Sequence, residues 1–113
     1  MRFPNQLARA GAMRLRLRLE APVDAADDIG GQTRTYVLLG NLWGEVTPMQ
    51  GDEELVSDRF EARITHRVTL RFRPDVTARM RLVAAARVFT IRAVFDPDGS
   101  RRRLVCLAEE RAP

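Results

Sequence analysis

A strict two-residue alternation near the amino terminus limits what this chain can fold into. From Met13 to Leu19 every second residue is apolar, and the residues between them are Arg14, Arg16 and Arg18. Side chains repeat with a period of two on a β-strand, whereas a helix would scatter these arginines around its circumference. The segment is therefore predicted to be a strand with one apolar face and one row of arginines.

The same period returns in the second half of the chain. From Ala62 to Arg73 the apolar side chains fall on one face, and Arg67, Arg71 and Arg73 fall on the other. Further strands are predicted at Gln32 to Pro48, Met80 to Ala85, Arg87 to Phe95 and Arg101 to Ala108. About six short strands with turns between them predict an all-β fold, a small antiparallel β-barrel or sandwich. We expect residues 1–113 to form a single β-barrel domain.

Local patterns refine these strands. Tyr36 to Leu39 is apolar on both faces, which predicts a strand that is buried on both sides. Gly40 and Asn41, which follow it, predict a bulge. Three phenylalanines fall on apolar faces and are expected in the core, namely Phe72, Phe89 and Phe95.

Two acidic stretches are predicted to be long loops. The first runs from Glu20 to Gly31, and the second from Met49 to Asp58. The second is also compatible with a short helix from Asp52 to Phe60, with Asp52 as its N-cap. Long loops on a rigid barrel often carry function, and solvated hairpin connections are the plain alternative. The acidic side chains of interest are Asp24, Asp27, Asp28, Asp52, Glu53 and Glu54.

The ends of the chain and its hydropathy bear on where the protein is made. Residues 1–12 are expected to be a flexible N-terminal arm, with one helical turn from Asn5 to Ala12 as the alternative. Met1 to Gly11 has no continuous apolar stretch of the kind that a secretory signal needs. No apolar run approaches the roughly 20 residues of a membrane-spanning helix. We therefore expect synthesis in the bacterial cytoplasm and no contact with a membrane.

Arginine dominates the charge of the chain. All 19 basic residues are arginine, and the net charge is +4. Guanidinium groups fork onto carboxylates and stack on flat groups, which suits contacts between subunits. A solvated, salt-bridged sheet face and direct contact with DNA are the alternatives. Trp43 is either a core residue or part of an interface. The candidate interface residues are Trp43, Arg14, Arg16, Arg18, Arg67, Arg71 and Arg73.

No catalytic, metal or cofactor site is predicted. The one histidine, His66, and the one cysteine, Cys106, both fall on apolar faces of predicted strands. A typical zinc site needs more such ligands, and a Cys–His nucleophilic pair needs a third group to orient it. His66 is expected to be a hydrogen-bonded residue in the core or at its rim, and Cys106 a small buried hydrophobe. We expect no enzymatic activity.

The order of weak motifs in the chain resembles a known family. The segments are Trp43 to Pro48, Thr65 to Arg73, Asp75 to Thr77, Met80 to Leu82, Val88 to Asp96 and Leu104 to Glu110. In this order they resemble the phage head–tail joining family, the head-completion or stopper proteins of tailed phages, prophages and gene transfer agents. The resemblance covers about Gln32 to Glu110, and the longer strand start at Arg14 to Leu19 departs from it.

The resemblance implies a structural role in the neck of a phage-like particle. Such proteins form a homo-oligomeric ring below the portal and its adaptor, close the DNA-filled capsid and present a surface for the tail. The implied partners are copies of the chain, the portal-side adaptor, a tail terminator or tail tube protein and, transiently, packaged DNA. Long loops of the barrel would point into the channel, where acidic side chains would let DNA slide past. The alternative function is a small β-barrel nucleic-acid-binding module.

Overall fold

The computed structural model describes residues 12–56 and 61–111. Within these ranges every regular element is a strand, and no helix is present that could cross a membrane. The strands are β1 (Met13–Ala26), β2 (Gln32–Val56), β3 (Glu61–Arg71), β4 (Arg81–Ala84), β5 (Arg87–Phe95) and β6 (Arg103–Glu110). The predicted all-β fold is confirmed.

All neighbouring strands are antiparallel, and the sheet closes on itself. The order around the ring is β1-β2-β3-β6-β5-β4, and β4 returns to pair with β1. The sheet is therefore a closed barrel and not a sandwich of two separate sheets. Closure is completed by a short seam, in which Arg18, Leu19 and Glu20 pair with Val83, Leu82 and Arg81.

The alternation in the sequence sorts side chains between the inside and the outside of the barrel. Leu17 and Leu19 on β1 are completely buried, whereas the alternating Arg14, Arg16 and Arg18 of the same strand are exposed. Phe89 is the largest fully buried side chain. The other buried members of the core cluster are Val46, Val68, Leu70, Val76, Leu82, Ile91, Leu104, Cys106 and Ala108. Because a barrel this small has room only for its own side chains, its interior is a packed core.

The connection between β3 and β4 covers one end of the barrel. Val76 is 6% exposed and belongs to the core, and Phe72 and Met80 pack against the same cluster. The backbone N–H of Arg79 donates to the carbonyl of Ile91 over 2.9 Å, and the N–H of Ile91 donates to Met80 over 2.9 Å. These bonds fasten the connection to β5.

Two hairpin ribbons extend beyond the barrel. On β1 the pairing with β4 ends at Glu20, so from Ala21 to Ala26 the strand pairs with β2 alone. We name the ribbon formed by residues 21–37 the first arm. On β3 the pairing with β6 begins at His66, so the preceding part pairs with β2 alone. We name the ribbon formed by residues 49–56 of β2 and 61–65 of β3 the second arm.

The arms leave opposite ends of the barrel. β2 begins in the first arm, crosses the barrel wall and ends in the second arm, within 25 continuous residues. The molecule is correspondingly elongated, with extents of 62, 30 and 29 Å.

The expected long loops were wrong. Asp24 lies within β1, and only residues 27–31 connect β1 to β2. Likewise β2 continues through Asp52, Glu53 and Glu54 to Val56, so the alternative helix from Asp52 is also wrong over this part. Pro22 and the acidic composition suggested turns, but backbone pairing across a hairpin overrides such local preferences. Residues 57–60 and 1–11, including most of the predicted N-terminal arm, lie outside the described residues.

The β1–β2 register contains one bulge. Leu19 pairs with Gly40 and Glu20 pairs with Leu38, which leaves Leu39 as the extra residue. The bulge was predicted one residue later, at Gly40. Gly40 instead leaves space for Arg73, because a Cβ there would lie 2.7 Å from a guanidinium nitrogen of Arg73.

Gly44 is required by the packing of the barrel interior. It faces inward from β2, and an added Cβ would lie 2.6 Å from Leu17 Cδ1 and 2.9 Å from Leu70 Cδ2. We expect Gly44→Ala to lower the free energy of unfolding by about 1–3 kcal/mol, measured by urea denaturation, because the extra methyl group overpacks a filled core.

A matched variant tests whether this contact is the cause. Leu17→Ala removes the nearest methyl group, so Gly44→Ala should cost less in that background than in the native chain. An equal cost in both backgrounds would contradict the steric explanation.

Candidate interface surfaces

Trp43 lies on the outer wall of the barrel. Its side chain is 50% exposed, and it pairs in register with Arg16 on β1. The guanidinium carbon of Arg14 lies 5.3 Å from the ring centroid, and that of Arg16 lies 5.7 Å from it. Both distances allow cation–π attraction. In the isolated chain, then, Trp43 is a surface residue held between two arginines.

Strand pairing places Trp43 in a row of arginines. Because Gly44 pairs with Leu70, Trp43 lies beside Arg71 on β3, and Arg71 pairs with Arg103 on β6. Arg16, Trp43, Arg71 and Arg103 thus lie side by side across four strands. A groove of about 650 Å³ lies here. It is named the arginine groove, and its polar or aromatic lining residues are Arg14, Trp43, Glu45, Thr69, Arg71, Phe72, Arg73, Arg102 and Arg103.

The structure divides the predicted interface arginines into two groups. Arg14 and Arg71 line the groove together with Trp43. Arg73 lines its edge, but its guanidinium is paired with Asp75 at 2.9 Å. Arg18 lies 3.4 Å from Glu20 and forms a surface ion pair. Arg67 is exposed on β3 and is not among the residues that line the groove.

Sequence reasoning missed Arg102 and Arg103 as members of this surface. They follow the turn at residues 96–100, and nothing in their spacing connects them with Trp43. Only the pairing of β6 with β3 brings Arg103 next to Arg71. The one hint in the sequence was the run of three consecutive arginines from Arg101 to Arg103, which indicates a concentrated positive charge at this point of the chain.

The first arm exposes apolar side chains. Val37 is 46% exposed, Leu38 54% and Ile29, in the connecting turn, 92%. The expectation that Tyr36 to Leu39 is buried on both sides was therefore wrong for the isolated chain. A ribbon of two strands has neither a third strand nor a second layer to cover these side chains. Phe95, at the end of β5, is also 41% exposed and was wrongly placed in the core.

Ion pairs fix the first arm to the barrel. Asp24 accepts a hydrogen bond from Arg34 Nε at 2.7 Å across the ribbon, and Arg79 approaches it to 3.5 Å. Arg81 donates to Glu20 at 2.6 Å, and its guanidinium lies 3.6 Å from the ring centroid of Tyr36. Arg79 and Arg81 belong to the barrel, so these contacts brace the base of the arm.

The acidic residues of the first arm mostly have structural partners. The hydrogen bond from Arg34 lowers the pKa of the Asp24 carboxyl below its ordinary value. Asp27 Oδ1 accepts hydrogen bonds from the backbone N–H of Ile29 at 3.0 Å and of Gly31 at 2.7 Å, which closes the turn. Asp28 is exposed in that turn. Asp52, Glu53 and Glu54 lie on the β2 strand of the second arm. The channel-facing role of these six residues stays a prediction.

His66 belongs to a polar network at the other end of the barrel. Its Nδ1 lies 2.8 Å from Thr65 Oγ1, and its Nε2 lies 3.7 Å from Glu110 Oε1. Arg87 makes two hydrogen bonds to Glu110, at 2.8 and 2.9 Å. The imidazole also packs edge-on against Phe89, with ring centroids 5.2 Å apart. The network ties β3, β5 and β6 together.

The pKa values of His66 and Glu110 are both lowered in this network, but for different physical reasons. Burial lowers the pKa of His66, and the nearby Arg87 adds to this effect against the opposing pull of Glu110. The hydrogen bond from Arg87 lowers the pKa of Glu110. Both groups therefore bind protons less readily in the folded chain than in the unfolded chain.

The remaining candidate for chemistry is inert. Cys106 is completely buried on β6, and burial raises the pKa of its thiol to about 12. A thiol with such a pKa is protonated at neutral pH and is a poor nucleophile. Among the described residues, no group of three or more His, Cys, Asp or Glu side chains is arranged to hold a metal ion.

We expect the stability of the protein to fall as the pH decreases from neutral. The unfolded chain takes up a proton at His66 near pH 6.5, before the folded chain does, and at Glu110 in more acidic solution. His66→Gln keeps a hydrogen-bonding side chain and does not titrate. Thermal unfolding should show that this variant loses less stability than the native chain between pH 7 and pH 5. A parallel loss in both proteins would contradict the assignment.

Comparison with known proteins identifies relatives for this barrel. The family model for phage head completion proteins matches residues 8–111. A chain in the structure of a native gene transfer agent virion is 30% identical, with a TM-score of 0.61, and the match covers 88% of this chain and 96% of that one. Protein SF1141 from Shigella flexneri 2a, known from a solution structure, is 26% identical with a TM-score of 0.61, covering 90% and 96%. Comparison with curated proteins finds no match.

These matches agree with the fold described above. The matched segment contains the whole barrel and both arms, so the resemblance is not confined to one motif. The family consists of structural virion proteins, which indicates a head–tail structural role through contacts with other head or tail components. The chain belongs to the phage head completion protein family.

Proposed function

We propose that this chain is a head-closure, or stopper, subunit. Copies of it form a ring in the neck of a phage-like particle, between the portal-side adaptor and a tail terminator or tail tube protein. The ring closes the DNA-filled capsid, and its channel contacts packaged DNA only in passing. The observation that carries this proposal is the pair of arms that leave opposite ends of one closed barrel.

Arms at opposite ends suit a subunit that lies between two layers of a particle. A closed barrel has no open strand edges along its wall, so its wall makes contacts through side chains. The arms extend the reach of the chain towards the components above and below it. The longest extent of 62 Å is about twice the other two, 30 and 29 Å, which gives the subunit two distinct ends.

The apolar side chains of the first arm support assembly. Val37 and Leu38 are 46% and 54% exposed on a ribbon that ion pairs hold in place. Large apolar side chains that stay exposed on a braced ribbon favour protein contacts, because their burial removes apolar area from water. We assign this part of the first arm to contacts between copies in the ring.

The second arm is assigned to the channel. Between positions 52 and 61 the sequence contains five carboxylates and one arginine. Negative charge repels the phosphate backbone of duplex DNA, and an arm that repels the duplex can constrict the channel without adhering to it. Asp52, Glu53 and Glu54 would supply this repulsion.

A nucleic-acid-binding module is the second candidate, and the unpaired arginines of the groove favour it. The aromatic residues disfavour it. Phe89 is fully buried, Phe72 packs against the core, and both guanidinium groups near Trp43 lie over its ring. Binders of single strands instead present aromatic faces on which bases stack.

Removal of residues 50–57 tests the channel role of the second arm. Ring closure of the sheet does not use this segment, because β3 pairs with β6 only from His66 onward. We expect particles to form and then to lose DNA, as measured by nuclease sensitivity of the packaged DNA beside electron microscopy of the necks. Retention of DNA at the native level would refute the channel role and leave the ring unaffected.

Val37→Glu tests the contact between copies. The side chain is already exposed and pairs with Ala21, so the isolated chain should fold with nearly native stability. In the ring the new carboxylate would be buried against apolar neighbours, and we expect its incorporation into particles to fail. Thr35→Glu, further along the same ribbon and also exposed, is the matched control. If Val37→Glu is incorporated as well as that control, this part of the arm does not contact another copy.

A further inference from the structure

Five arginines and one glutamate line the arginine groove, so positive charge is in excess there. Arg71 and Arg103 are directly paired across β3 and β6, and Arg71 also lies beside Trp43 and its two arginines. Like charges at directly opposed positions of a sheet destabilise it. Most other arginines of the barrel have a carboxylate partner, so this arrangement is a local exception.

Most carboxylates of the described chain are engaged elsewhere, and the one that lines the groove, Glu45, has an interaction partner of its own. Glu20 and Asp24 hold the first arm, Glu109 pairs with Arg92 at 2.8 Å, and Glu110 pairs with Arg87. Asp96 and Asp98 accept backbone hydrogen bonds in the β5–β6 turn. In the part of the chain that the structure describes, five arginines around the groove make no ion pair, namely Arg14, Arg16, Arg71, Arg102 and Arg103.

The shape of the groove limits what can neutralise these charges. A volume of about 650 Å³ is that of a ligand-sized cleft. Leu42, Trp43 and Phe72 add apolar and aromatic surface among the guanidinium groups. The groove therefore combines several forked donors for carboxylates with apolar contacts for the side chains between them.

We propose that the arginine groove binds an extended acidic segment of the protein that adjoins this chain in the particle. The proposal rests on the assigned neck position and names the chemistry of one partner contact there. Carboxylates of the segment form ion pairs with Arg71 and Arg103, and its apolar side chains pack on Leu42 and Phe72. A peptide fits these contacts better than DNA does, because the guanidinium groups of Arg14 and Arg16 lie over the Trp43 ring on which a base would stack.

Trp43 gives a direct signal of occupancy, because it is the one tryptophan of the chain. Fluorescence of the full-length protein is followed during titration with a synthetic peptide of alternating glutamate and leucine. We expect a saturable change that weakens as salt is added. In the double variant Arg71→Ala and Arg103→Ala, affinity for the peptide should fall by about tenfold or more.

A matched variant distinguishes binding in the groove from general attraction of an acidic peptide to a basic protein. Arg67→Ala and Arg101→Ala remove the same charge from exposed arginines that do not line the groove. Native affinity in this control, together with the loss in the groove variant, supports the proposal. An equal loss in both variants, or no saturable change in the native chain, would overturn it.

Two further measurements identify other occupants. A duplex oligonucleotide that binds more tightly than the peptide, and loses affinity in the groove variant, would replace the proposal with DNA binding. Concentration-dependent burial of Trp43 without any peptide, matched by association in analytical ultracentrifugation, would replace it with a second copy of the chain.

Experiments on assembled particles distinguish a failure of the groove contact from a failure of the proposed neck role. Particles that assemble and retain DNA without the chain would refute the neck role itself. Normal incorporation of the groove variant into particles, with the deletion of residues 50–57 still causing leakage, would refute the groove contact alone.

Discussion

The three-residue seam between β1 and β4 is the contact on which the rest of the structure depends. It turns a six-stranded sheet into a closed barrel, and it stops at the pair formed by Glu20 and Arg81. These two residues are also linked by a hydrogen bond of 2.6 Å. Beyond this pair β1 loses its second neighbour, so the same contact closes the core and marks the base of the first arm. Closure fixes the interior volume as well, which is why Gly44 must lie between Leu17 and Leu70.

The interior of the barrel could be predicted from the sequence, but the arms could not. Alternation is a local property, so the arginine row of β1 and the inward faces of β3 and β6 follow from the order of residues. Whether a strand has a neighbour on each side is not local. Tyr36 to Leu39 has the composition of a buried strand and lies in a ribbon, while Asp52 to Glu54 has the composition of a loop and lies in a strand. In both places pairing decided the outcome, and composition suggested the opposite.

The candidate surfaces also combine features that follow from local alternation with features that depend on strand pairing. The outward positions of Arg14 and Arg71 could be predicted from the alternation, whereas the sequence left Trp43 open between the core and an interface. Their gathering with Arg102 and Arg103 depends on the register of β6 against β3, which no spacing along the chain reveals. The acidic residues differ among themselves for a related reason. Asp24 looks free in the sequence, but the hairpin brings Arg34 opposite it.

The open edges of the arms have a consequence for where a strand of another protein could pair with this sheet. Along the barrel each strand is hydrogen-bonded on both sides, whereas β1 between Ala21 and Ala26 has β2 on one side and no strand on the other in the described part of the chain. Unpaired backbone N–H and C=O groups on such an edge accept another strand readily. Intermolecular sheet extension is thereby restricted to the ribbon. The barrel wall has no open edge on which a further strand could pair, so any strand added to this sheet would have to pair with an arm.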